Sequence, residues 1–183
     1  LSYGSSPAKN PFNEPVFETK TAAGYESGMD DSPMYIDVPF NKKKHTLELQ
    51  DVGLNSLYIS DCRALAEMAA IIGRDKEQNE LENRASQYTS KMENLWSEGF
   101  GAYLNYRTDA DSLSKRVSPT IFYPLLAQTG DKKQKDRILE HYYNPDEFYG
   151  EWMLPSTTRN DPLFEHQRYW KGAIWPPLNF LTY

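Results

Sequence analysis

Two stretches of this chain concentrate side chains able to do chemistry. In Glu26-Ser27-Gly28-Met29-Asp30-Asp31-Ser32-Pro33, three carboxylates fall within six residues of a segment broken by Gly28. A non-helical backbone can aim such side chains at a common point. Crowding, or enclosure among aromatic groups, drives carboxyl pKa values apart, so that one stays protonated near neutral pH. A retained proton is what a general acid needs. The same residues also read as ordinary turn chemistry, with Asp30 capping a backbone turn and Glu26 and Asp31 facing solvent.

The second stretch is Tyr169-Trp170-Lys171-Gly172-Ala173-Ile174-Trp175-Pro176-Pro177-Leu178-Asn179. Two indoles flank a glycine and precede a proline pair, which is well tolerated at a helix start. Aromatic faces suit the apolar face of a pyranose ring, and Lys171 or Asn179 can hydrogen-bond its hydroxyls. Taken alone, Trp170 and Trp175 serve equally well as core residues stapling the helix.

Together the two stretches carry more. Glu26-Ser27-Gly28-Met29-Asp30 resembles the acid-bearing motif of glycoside hydrolase family 63 and its trehalase relatives, Glu-Ser-Gly-(Met or Trp)-Asp followed by a short polar stretch. Tyr169 to Asn179 is similar to that family's Tyr-Trp-Arg-Gly-x-Ile-Trp-Pro-Pro-x-Asn segment, departing at Lys171, where a fork of guanidinium donors is usual. Between them, Leu154-Pro155-Ser156-Thr157 and Asn160-Asp161-Pro162 look like its Pro-Ser…Asp-Pro loop. The resemblance implies an all-α fold, an (α/α)6 toroid of which this chain supplies only part. It implies hydrolysis of α-glycosidic bonds with inversion, of the α-glucosidase type. Asp30 would be the general acid, with Glu26, Asp161, Trp170, Lys171 and Trp175 lining the sugar subsite. An inverting enzyme also needs a carboxylate base roughly 6.5–9.5 Å from the acid, leaving room for water. The family's base is a Glu some tens of residues beyond the Trp-Pro-Pro segment, past Tyr183. Glu147, Glu151 and Glu165 match no base motif. No cofactor is implied, although some family members hold calcium, through a loop upstream of the acid motif and a carboxylate comparable to Asp61.

Helices must position these loops. Residues 1–46 are rich in Pro, Gly, Ser and Asn and read as an ordered, irregular, acid-bearing segment. Residues 47–183 read as αα-hairpins and rim loops of the same domain. Leu54, Tyr58, Asp61, Leu65, Met68 and Ile72 recur at intervals of 4, 3, 4, 3 and 4, the period of one helix face. On that stripe a buried Asp61 would require a partner, such as an arginine from another helix. Leu81, Ala85, Tyr88, Met92 and Leu95 form a second stripe. Gly73 with Asp75, and Gly130 with Asp131, read as stop-and-cap turns. Phe100 to Arg107 alternates as a β-hairpin would. A third apolar run starts at Trp175. Repeated hairpins suggest a toroid or solenoid, with the chemistry on its rim loops.

Composition narrows the function classes. A net charge of −6 argues against a nucleic-acid surface, and Lys42-Lys43-Lys44 reads as a solvated loop. No stretch approaches the roughly 20 apolar residues of a membrane span. The opening residues carry no secretory-leader pattern, and a single Cys62 leaves the compartment open among cytoplasm, periplasm and exterior. A soluble globular domain is expected, with an oligosaccharide or small glycoside as substrate and the rest of the catalytic domain as partner. His45, His141 and His166 share no metal-ligand spacing. A non-catalytic helical-repeat module binding sugar or protein is the alternative. A polysaccharide lyase, needing a Tyr or His base, is a second.

Overall fold

The computed structural model describes residues 20–182. Part of the turn-rich stretch read from residues 1–46, namely 1–19, lies outside them, as does Tyr183. The rest of that stretch is more regular than its composition suggests. Helix α1 (Lys20–Tyr25) and helix α2 (Pro33–Ile36) flank the acid-bearing turn. The Ser32 hydroxyl accepts the Met34 N–H, and Pro33 opens α2 where a missing N–H costs nothing. Strands β1 (Phe40–Asn41) and β2 (Thr46–Leu47) pair antiparallel around the exposed lysine turn.

Strand β3 (Leu49–Gln50) leads into α3 (Val52–Ile71), capped by Asp51, whose carboxylate accepts the Leu54 N–H at 2.9 Å. The chain reverses at Gly73, with φ +70°, into α4 (Asp75–Met92), giving the expected αα-hairpin. Asp75, however, is already the first helical residue: Arg74 holds the cap position and its side chain caps no backbone N–H, pairing instead with Glu77 at 3.2 Å. The second turn does what the first does not. Asp131 and Gln134 form a reciprocal capping box at the start of α6.

The apolar stripe read on α3 is not its buried face. Val52, Ser56, Ile59, Cys62, Ala66 and Ala69 are buried, while Leu65, Met68 and Ile72 are 50%, 60% and 67% exposed. Small side chains thus make up much of the buried face of α3, with Ile59 and Cys62 in one cluster with Ala85 and Met92 of α4, while Leu65, Met68 and Ile72 turn outward. Asp61 is exposed on that outer side and needs no buried partner. Arg63 instead donates to the Ala127 carbonyl and, at 3.3 Å, to Thr89 Oγ1.

Nor does Phe100 to Arg107 fold as one hairpin. Strand β4 (Trp96–Ser97) pairs with β5 (Ala102–Tyr103), whereas β6 (Tyr106–Arg107) joins β3 and β7 (Ser112–Leu113). A 3-10 turn, Pro119–Phe122, runs into α5 (Tyr123–Leu126), followed by α6 (Lys132–Tyr142) and a long loop. A second 3-10 turn, Tyr169–Lys171, precedes α7 (Pro176–Thr182). About half of the described residues are helical, and the strands are pairs of residues only.

The core has two parts. One gathers Ile59, Tyr103, Phe122, Ile138 and Phe148, with Phe122 edge-on to Phe148 at 5.2 Å. Full burial of each such aromatic stabilises by about 1.5–3 kcal/mol. The other gathers Met29, Met34, Tyr35, Tyr123, Trp170 and Leu178. It joins the two motif-bearing segments, and the site lies on it.

Candidate active site

Three consecutive residues of the Tyr169–Lys171 turn hold two consecutive carboxylates of the acid-bearing turn. The Tyr169 hydroxyl donates to Asp30 Oδ2 at 2.7 Å, the Trp170 N–H donates to Asp31 Oδ1 at 3.2 Å, and Lys171 Nζ lies 3.7 Å from Asp31 Oδ2. The hydrogen bond to Asp30 is the main reason the Tyr169 hydroxyl is pushed above its usual pKa. The acid turn is set by Gly28 at φ +71°, a conformation that glycine adopts freely, and by Ser27 Oγ accepting the Met29 N–H at 3.0 Å.

Behind this clasp Trp170 and Trp175 stack at 4.4 Å, with planes 11° apart. Trp170 is buried and Trp175 half-buried, so the pair is both a core staple and a surface. The Trp175 indole N–H donates to the Tyr169 carbonyl at 2.9 Å, and the Tyr169 ring meets Trp175 edge-on. Both indoles line a cleft of about 350 Å³, together with Gly28, Met29, Tyr35 and Asp51. That volume is in the range of small-molecule sites. A second cleft, of about 340 Å³, lies beyond Asp51 and Leu54 and contains no motif residue.

At the floor of the first cleft sits a polar group that sequence reasoning did not single out. Asp51 is buried, accepts the Tyr35 hydroxyl at 2.9 Å, and has its carboxyl pKa raised by burial. Burial and the neighbouring Asp51 push the Tyr123 hydroxyl up to about 12 and Tyr35 well above its usual value. The signal for Asp51 was present: an Asp directly before an apolar helical run is a capping residue, so its depth is fixed by where α3 begins.

The remaining sequence candidates spread further. Asp161 is buried; its carboxylate accepts from Arg116 Nη1 at 2.9 and 3.1 Å and from the Leu163 N–H at 2.8 Å, while Arg116 Nε reaches Asp37 at 3.1 Å. Nothing in the sequence marked Arg116. Glu26 is exposed just past α1. Of the glutamates without a base motif, Glu147 is buried 2.5 Å from His141 Nδ1, and Glu151 and Glu165 are exposed. Among the described residues no three His, Cys, Asp or Glu side chains converge as metal ligands would. None of the described helices is long and apolar enough to cross a membrane.

Comparison with known proteins identifies the family. The profile of the mannosylglycerate hydrolase MGH1-like glycoside hydrolase domain matches residues 19–183. Mannosylglycerate hydrolase of Rubrobacter radiotolerans is 28% identical over 154 residues, covering 82% of this chain and 33% of that protein. The Thermus thermophilus mannosylglycerate hydrolase is 25% identical over 143 residues, 76% of this chain and 33% of its own length. The chain thus spans about a third of the relatives it matches. Among solved structures, a family 63 mannosylglycerate hydrolase from Thermus thermophilus in complex with glucose superposes with a TM-score of 0.76 at 22% identity, covering 90% of this chain and 48% of that one. The neutral trehalase of Saccharomyces cerevisiae gives 0.71 at 20% identity, over 91% and 32%. With the profile match spanning nearly every residue, the chain belongs to the mannosylglycerate hydrolase MGH1-like family of glycoside hydrolases, within the family 63 group that its motifs resemble.

Proposed function

We propose that this chain carries the acid half of an inverting α-glycosidase site, with Asp30 as the general acid. One observation carries the reading: the Asp30 carboxyl is held by Tyr169, whose ring packs edge-on against Trp175, and the stacked indole pair lines, with Gly28 and Met29 of the acid turn, a cleft sized for a small ligand that Asp30 adjoins but does not itself line. In the reaction Asp30 gives its proton to the departing glycosidic oxygen as the C–O bond breaks. A water molecule, deprotonated by a carboxylate outside residues 1–183, bonds to the anomeric carbon from the opposite face and inverts it. The scheme runs on carboxylates and water and calls for no cofactor, calcium included.

The indoles of Trp170 and Trp175 take the apolar face of the sugar. Glu26 reaches it from the exposed end of the acid turn, and Lys171 and Asp161 act from within their pairs with Asp31 and Arg116. The substrate class is an α-linked hexoside, with α-glucosides and α-mannosides first in order, as oligosaccharides or small glycosides. The exposed outer side of α3 fits an (α/α)6 toroid whose remaining helical pairs cover it.

The test is Asp30→Asn in the full-length protein. It should lower hydrolysis of α-linked hexosides about 10²–10⁴-fold, the usual contribution of general acid catalysis. NMR of the first-formed anomer from the unsubstituted enzyme should show inversion. A variant that hydrolyses normally rejects Asp30 as the acid, and a protein that binds sugar without cleaving it is the helical-repeat binding module instead.

A further inference from the structure

We infer that Tyr169 is a positioning residue for the acid: its hydroxyl fixes the Asp30 carboxyl and reserves Oδ1 as the oxygen that carries the catalytic proton. The inference rests on the assignment of Asp30 above. Tyr169 donates to Oδ2 at 2.7 Å, and an oxygen that accepts a phenol proton is a poor place for a second proton. The transferable proton is therefore directed to Oδ1. A carboxyl free to rotate would present either oxygen, and only one lies correctly toward a bound glycosidic linkage.

The tyrosine can hold this geometry because it is itself held. Its carbonyl accepts the Trp175 indole N–H at 2.9 Å and the Ser156 hydroxyl at 3.4 Å, and its ring packs edge-on against Trp175 at 5.6 Å. The neighbouring Asp31 accepts the Trp170 N–H and faces Lys171, which fixes the backbone on the far side of Asp30. The acid therefore hangs from a rigid turn on one side and from a braced phenol on the other. Other charged groups do not compete for Tyr169: its hydroxyl responds chiefly to Asp30, with the Trp170 indole and Asp31 contributing less.

The test is Tyr169→Phe in the full-length protein, which keeps the ring and its contact with Trp175. With an α-linked hexoside as substrate, kcat should fall about tenfold while KM stays within about twofold, because the hydroxyl acts on the acid and not on the sugar. An unchanged kcat, or a loss carried by KM alone, overturns the inference and makes Tyr169 a structural residue or a sugar contact. Should the variant fail to fold, O-methyltyrosine at position 169 keeps the ring, removes the donor and must lower kcat in the same way; an unchanged kcat is again fatal. Asp30→Asn separates the two claims. A fully active Asp30→Asn removes the acid itself, whereas an inactive Asp30→Asn with an unchanged kcat in Tyr169→Phe removes only the positioning role.

Discussion

Gly172 occupies the one position between the two indoles where a side chain cannot be accommodated. Its φ of +154° is a conformation that L-residues rarely adopt. A Cβ built there would sit well inside contact with the Glu165 carbonyl oxygen and 2.9 Å from Phe164 Cε2. The Gly172 N–H also donates to Ser156 Oγ at 3.0 Å, and the Lys171 carbonyl accepts the Glu165 N–H at 2.8 Å, so the backbone cannot move aside freely. Gly172→Ala thus combines backbone strain of about 1–3 kcal/mol with overpacking of about 1–3 kcal/mol. A sum near the middle, about 4 kcal/mol, corresponds to a fall in Tm of roughly 8–16 °C for a chain of this size. The damage should be local to the site as well. Trp170 and Trp175 stack at 4.4 Å, close enough for exciton coupling, and relief of the clash must displace one of them. Thermal unfolding followed by circular dichroism reports both effects, one as Tm and the other as the amplitude of the indole couplet. A variant with unchanged Tm and couplet would show that the backbone at Gly172 relaxes without cost, and the argument for a rigid indole platform would fail.

Two further expectations concern the flanks of the site. Asp51 has its folded pKa raised by burial, so its contribution to stability is fully present below the ordinary value of 3.8 and is lost as pH rises through the elevated folded value. Asp51→Asn keeps a side-chain oxygen for the Leu54 N–H and should flatten this acid-side slope in urea midpoints measured against pH; an unchanged slope rejects the assignment. On α3, Leu65→Gln with Met68→Gln should change the stability of the 183-residue chain by no more than about 0.5 kcal/mol, because both side chains are mostly exposed. In the full-length protein the same pair should cost about 2 kcal/mol or more, as two amides become buried without partners. Equal effects in the two settings, by chemical denaturation, would mean that nothing covers this face.

The family and the helices were more legible in the sequence than the packing. Spacing placed helices over α3 and α4 and a reversal at Gly73, because a 3.6-residue period and a left-handed glycine are local properties. It chose the wrong face of α3 because hydrophobicity alone ranks Leu65 and Met68 above Ala66 and Ala69. Two helices that pack closely bury their small residues, and the larger ones are left for whatever covers them next. Asp75 failed as a cap for a related reason: the helix begins one residue earlier than the Gly-Arg-Asp pattern suggests, which leaves Asp75 inside the first turn. Arg116 left no trace, since its two carboxylate partners lie 79 and 45 residues away.

The clasp between the two motifs explains why both must be present for either to be meaningful. Asp30 and Tyr169 are 139 residues apart, and so are Asp31 and Trp170. Closing a loop of that length carries an entropic cost that grows only slowly with length, so a few well-made contacts at its ends can hold it. Here those contacts lie over a buried cluster of Met29, Met34, Tyr35, Trp170 and Leu178 drawn from both ends of the described chain. Apolar burial supplies the adhesion, and the polar pairs set the register. A slip of one residue along the Tyr169–Lys171 turn would offer Asp30 a backbone N–H in place of a phenol. It would also leave Lys171 without its carboxylate. Asp30 and the indole surface are therefore held as one unit, and their relative geometry is set by the fold itself.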